Sequence, residues 1–141
     1  FFFNAQAAIP DPLWSRGLGD VYKRQFVEGS CVVELTVGQM HLNLGGMAHG
    51  GVHATLLDTA MGGTLISMMA KEEWSATAQL DISYLNAAHP GDHLVATAEV
   101  VRRGRNLAHI EGKLVTAEGE LVATAKGTWA IWEKRPKSRG G

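Results

Sequence analysis

The sequence predicts an α+β domain in which one long buried helix is wrapped by a curved antiparallel sheet. Two observations carry this expectation. Residues 50–70, GGVHATLLDTAMGGTLISMMA, are apolar almost all round and contain no proline, which is the pattern of a buried helix of about five turns. Beyond residue 73 the period changes to two, and the runs are joined by short turns, as in an antiparallel meander.

The elements follow in order. FVEGSCVVELTV (26–37) is β-branched and partly alternating and reads as one strand. GQMHLNLGGMAHGG (38–51) is a loop rich in Gly, His and Asn that leads into the helix. Gly50, Gly51, Gly62 and Gly63 oppose helix formation by about 1 kcal/mol each in an interior, a penalty that close packing against the helix offsets. ATAQLDISYL (76–85) puts Ala78, Leu80, Ile82 and Tyr84 on one face and Thr77, Gln79, Asp81 and Ser83 on the other. HPGDH (89–93) is a turn, and 94–103 and 107–117 are strands around the turn GRN (104–106). EGE (118–120) is a tight hairpin and 121–132 the last strand. A sheet with two faces and open edges needs cover, which predicts self-association.

Three segments are expected: an atypical N-terminal segment at 1–25, the folded domain at 26–133 and a basic flexible tail at 134–141. The run LWSRGLGDVYKRQ (13–25) resembles a translated adapter, so 1–25 reads as a sequence artefact or a disordered arm. The 141 residues fit one core, with 45% hydrophobic and 19% charged residues. A formal net charge of -1 argues against nucleic acid as a partner. The single Cys31 excludes a disulfide framework and a cysteine-rich zinc site. No apolar run of spanning length is present and no signal-peptide pattern opens the chain, so no membrane is expected and a cytoplasmic setting is.

Chemistry concentrates around the helix. Asp58 is the only charged residue between Glu34 and Lys71, and no charge partner lies one turn away. A buried lone carboxylate costs several kcal/mol or shifts its pKa, which a fold tolerates mostly where the group is used. The plainer alternative is that Asp58 faces water or bonds a hydroxyl such as that of Thr55. His49-Gly50-Gly51 opens the helix, where unpaired N–H groups and the absence of a side chain suit an oxyanion or an anion. The alternative is a loop that only turns the chain. Gly50 and Asp58 are eight residues apart, or about 12 Å along a helix. They cannot serve one carbonyl within a subunit, but two helices running side by side in opposite senses bring Gly50 of one copy to Asp58 of the other.

The strings HLNLGGMAHGGVHATLLDTAMG (41–62) and QLDISYLNAAHPGDHLVATAEVVRRGRNLAHIEGKLVTAEGELVATAKGTW (79–129) resemble the hotdog-fold acyl-CoA thioesterases of the phenylacetate-pathway type. The resemblance covers roughly 26–132. It implies a hotdog fold, hydrolysis of an acyl-CoA thioester, and a dimer or tetramer. It implies no metal or redox cofactor, coenzyme A being part of the substrate. By position, Asp58 matches the general base or nucleophile and Gly50 the donor to the thioester carbonyl. Asn43 matches a polar residue near that carbonyl, His49 an orienting group, and Thr77 a hydroxyl that helps hold water. For Asn43 and His49 the alternative is loop bracing. VVRRGRN (100–106) matches a turn near the coenzyme A phosphates, with Arg103, Gly104 and Arg105 as the contacts; the alternative is a solvated hairpin turn. Met61, Leu65, Met68 and Met69 are helix core or acyl-pocket lining. The remaining histidines and Cys31 read as packed residues without a role. A 3-hydroxyacyl thioester dehydratase and a non-catalytic acyl-CoA-binding protein are the competing functions.

Overall fold

The computed structural model describes residues 22–137, so the expected N-terminal segment through residue 21 and the tail from residue 138 lie outside the described residues. The elements are β1 (Tyr22–Val27), β2 (Ser30–Thr36), α1 (Gly50–Ile66), β3 (Trp74–Tyr84), β4 (His93–Arg103), β5 (Leu107–Thr116) and β6 (Leu121–Trp132). All six strands form one antiparallel sheet in the order β1-β2-β4-β5-β6-β3. α1 packs across its inner face.

The single strand expected over 26–37 is a hairpin instead. Glu28 and Gly29 turn the chain, and Gly29 adopts φ 78°, which a side chain disfavours. β1 therefore begins at Tyr22, inside the segment read as atypical, and pairs with β2 from Tyr22↔Leu35 to Val27↔Ser30. The later EGE turn forms as expected, with Gly119 at φ 90°.

α1 also ends four residues before the expected 70. The Ser67 N–H still reaches Gly63 O, but Met68 and Met69 bond three residues back, so the last turn tightens. The Ser67 hydroxyl donates to Thr64 O and accepts the Gly29 N–H, which ties this end to the first hairpin.

Leu57, Ala60, Met61 and Leu65 are fully buried against Val33, Leu35, Leu94, Ile110 and Leu114 of the sheet. Met61 and Leu65 are thus core, whereas Met68 lies past the helix and is exposed. The close approach is visible at β5, where a Cβ on Gly112 would lie 2.8 Å from Met61 Sδ. Trp129 is buried and Trp132 half-exposed, as their opposite faces on the last strand require. Burial pushes the Cys31 thiol up to about 11, which leaves it a packed, unreactive residue. The first part of the expected flexible tail makes a contact, since the Arg135 guanidinium sits 4.8 Å from the Trp74 ring centre.

Candidate active site

β3 does not alternate strictly. Its register against β6 shifts between Thr77 and Gln79, and Ala78 bulges out to solvent. This corrects the expected face of Ala78 and has a consequence for Thr77. The extra residue lets Thr77 turn toward α1 although Leu80 and Ile82 point there too. Thr77 Oγ1 donates to Asp58 Oδ1 at 2.7 Å. Asp58 is only 9% exposed, with this hydroxyl as its partner. Burial raises its pKa above the ordinary 3.8, and the Thr77 bond opposes part of that rise. Thr55, the hydroxyl nearest in sequence, is turned away and donates to Gly51 O at 2.8 Å.

At the start of α1, His49 is the N-cap. Its Nδ1 accepts the Gly51 N–H at 2.9 Å, and its carbonyl accepts Val52 N–H at 2.8 Å. With Gly51 and Val52 satisfied, the Gly50 N–H is left without an acceptor among the described residues. An unpaired donor at a helix N-terminus can accept an oxyanion or another anion as its partner. The bond occupies the Nδ1 lone pair of His49.

Asn43 braces the loop before the helix. Its Oδ1 accepts Gly45 N–H at 2.8 Å and Met47 N–H at 3.2 Å, and its own N–H reaches Met47 O. Its side-chain amide N–H groups are not used in that turn. Asp58 and Thr77 are therefore together, Gly50 and His49 are together, and Asn43 is on the loop leading to the second pair.

In the 104–106 turn, Arg103 pairs with Glu73 and Arg105 Nη2 lies 2.9 Å from Glu133 Oε1. The Gly104 N–H donates to Leu107 O at 2.7 Å. Arg102 is exposed and has no acidic partner among the described residues.

Two histidines passed over in the sequence are unusual. His53 is 4% exposed and neither ring nitrogen has a partner among the described residues; the Nε2 of buried His41 is likewise unpaired. Burial lowers the pKa of both, and for His53 the neighbouring His49 adds to the effect. A histidine inside an otherwise apolar helix was the available signal. Among the described residues no cluster of three metal-ligating side chains forms, and no helix is long and apolar enough to cross a membrane.

Residues 45–123 match the family profile described as Thioesterase superfamily, which is more than half of the chain. The chain belongs to the Thioesterase superfamily. Human acyl-coenzyme A thioesterase 13 is 30% identical over 118 residues, 82% of each chain. The structure of the Escherichia coli PaaI protein, from the phenylacetic acid degradation operon, superposes with a TM-score of 0.75 at 26% identity, covering 85% of this chain and 84% of that one. A Streptococcus mutans protein bound to acetyl CoA gives 0.73 at 29% identity, covering 82% and 91%. The expected hotdog fold and thioesterase class stand with these findings. In this thioesterase, Asp58 and the unpaired Gly50 N–H lie in the stretch that the profile matches.

Proposed function

We propose that the protein hydrolyses acyl-CoA thioesters to the free acid and coenzyme A, acting on aryl or short- to medium-chain acyl groups. The carrying observation is the pairing of Asp58, buried and held by Thr77, with an unpaired Gly50 N–H on the same helix. The names of the human and Streptococcus mutans relatives support coenzyme A thioesters as the substrate class.

The site is built across two copies of the chain. Among the described residues β3 is a sheet edge, paired only with β6 along eleven residues. An uncovered edge of that length invites pairing. If two copies join β3 to β3 antiparallel about residues 80 and 81, Thr77 of one comes opposite Tyr84 of the other. Tyr84 touches Gly50, so the same symmetry brings Asp58 of one copy toward Gly50 of its partner. A dimer, or a tetramer of such dimers, is the working assembly.

In this arrangement the Gly50 N–H donates to the thioester carbonyl oxygen as charge develops on it. Asp58 of the other copy takes a proton from water, whose oxygen adds to the carbonyl carbon. Collapse of the tetrahedral species breaks the carbon–sulfur bond, and the leaving thiolate gains a proton. The raised pKa makes Asp58 a stronger base than an ordinary carboxylate, which suits this route. Thr77 fixes one carboxylate oxygen, His49 holds the first helical turn, and Asn43 offers amide hydrogens from the adjoining loop. Arg103, Gly104 and Arg105 meet the coenzyme A phosphates, the two arginines exchanging carboxylate for phosphate partners, with Arg102 beside them. The reaction takes no metal or redox cofactor, and a cytoplasmic setting belongs to the same reading.

Thiol release from a panel of aryl- and alkyl-CoA esters tests this, with Asp58→Asn beside the wild type. Turnover in the variant falls about 10²- to 10⁴-fold. A folded Asp58→Asn with wild-type turnover overturns the role of Asp58. Saturable ester binding without thiol release from the wild type establishes a non-catalytic acyl-CoA-binding protein instead.

A further inference from the structure

We infer that Tyr84 is the positioning residue for the oxyanion donor; this rests on the hydrolytic reading above. An oxyanion N–H must be aimed before the charge appears, yet Gly50 and Gly51 open α1, where helices fray and glycine is freest. Four hydrogen bonds hold this turn beyond the helix's own ladder. Three are local, from Gly51 N–H to His49 Nδ1, from Val52 N–H to His49 O and from the Thr55 hydroxyl to Gly51 O. The fourth comes from 34 residues away: the Tyr84 hydroxyl donates to Gly50 O at 3.1 Å.

The ring adds contact to the bond. A Cβ on Gly50 would lie 3.3 Å from Tyr84 Cε1 and 3.4 Å from Cζ, so the ring rests on the Gly50 α-carbon. The ring also meets that of His53, with centroids 5.6 Å apart. The tyrosine backbone is itself anchored. Tyr84 is the last residue of β3, opposite Ala123, and the next residue's N–H donates to Val122 O at 2.9 Å. Within one chain, core packing does not account for this side chain, because the residue is 54% exposed there. What it contacts is the one peptide whose neighbour carries the free donor. β3 thus supports both halves of the chemistry, Thr77 on Asp58 and Tyr84 on Gly50.

Tyr84→Phe keeps the ring and removes the hydroxyl. Steady-state thiol release is measured for wild type, Tyr84→Phe and Asp58→Asn, with thermal melts and amide hydrogen exchange of the first helical turn. In Tyr84→Phe the expected result is kcat lower by about tenfold. KM stays within about twofold, and the Tm within about 2 °C. Gly51 and Val52 amides exchange faster. Wild-type kcat in Tyr84→Phe, with Asp58→Asn inactive, overturns the role and leaves hydrolysis standing. A kcat loss that tracks a large fall in Tm overturns it too, as general destabilisation. A wild type that releases no thiol from any ester overturns the hydrolytic reading and this role with it.

Discussion

α1 carries two glycine pairs, Gly50–Gly51 at its first turn and Gly62–Gly63 near its last. At the second pair the missing side chains are replaced by other residues. A Cβ on Gly63 would lie 2.5 Å from Cys31 Sγ and 3.1 Å from Phe26 Cε1, and one on Gly62 would lie 3.3 Å from the Trp129 indole nitrogen. At the first pair the neighbours are two polar rings, His49 and Tyr84, that hold the backbone and leave the Gly50 N–H open. One residue type therefore does two jobs in one helix. The distant pair lets hairpin and helix interlock, while the leading pair leaves a backbone N–H open. What separates them is the polarity and hydrogen bonding of the neighbours, not the glycines.

Substitution by alanine breaks the two pairs differently. Gly50→Ala crowds the Tyr84 ring beside the donor, and kcat falls about 10- to 100-fold. Its melting temperature stays near wild type, because alanine's better helix propensity offsets the crowding. A Gly50→Ala enzyme with unchanged kcat would end the comparison. Gly63→Ala works the other way. The short Cys31 side chain cannot retreat from 2.5 Å, and overpacking of this kind destabilises by about 1–3 kcal/mol. Denaturant unfolding measures it, and kcat per folded molecule is expected to stay at the wild-type value.

Titration sharpens the same contrast, since the buried ionisable residues of α1, His53 and Asp58, lie before the second pair. Asp58 has a raised pKa when folded. Between 3.8 and that raised value the folded protein keeps a proton that the unfolded chain has lost, so stability from this group falls as pH rises through that window. Asp58→Asn removes the penalty. Its Tm is expected to match wild type below pH 3.8 and to exceed it at pH 7. His41 and His53 carry the opposite sign. Their pKa values are lowered from 6.5, so the unfolded chain binds protons first and stability is lost as pH falls below 6.5. Melts across pH 3–8 on both proteins separate the contributions, and equal Tm values at pH 7 would remove the burial penalty on Asp58. The smallest effect is at the far turn. Arg102→Ala raises KM for CoA esters about two- to fivefold with kcat unchanged, as an exposed phosphate contact should. An unchanged KM there leaves Arg103 and Arg105 to carry the phosphates.

Much of the candidate site is readable because its residues are anomalies against an apolar background. Asp58 stands alone in a buried helix, and His49-Gly50-Gly51 marks the helix start by composition. The supports were less visible. Strict alternation puts Thr77 and Leu80 on opposite faces, and only the bulge at Ala78, set by pairing with β6, turns both toward α1. Tyr84 read as one more apolar strand position, because nothing local shows that a residue 34 positions away will lie on Gly50. Glu28-Gly29-Ser30 carries the same turn signal as the later Glu-Gly-Glu hairpin, but the β-branched run around it reads as one continuous strand.

By itself the sequence determined the buried helix, the meander that follows it, and which residues could do chemistry, since period, polarity and glycine placement are local properties of the chain. Tertiary structure decided which of those residues meet. Hydrogen bonds between distant strands set the β3 register, that register delivers Thr77 to Asp58 and Tyr84 to Gly50, and no window of neighbouring residues contains the information for either contact.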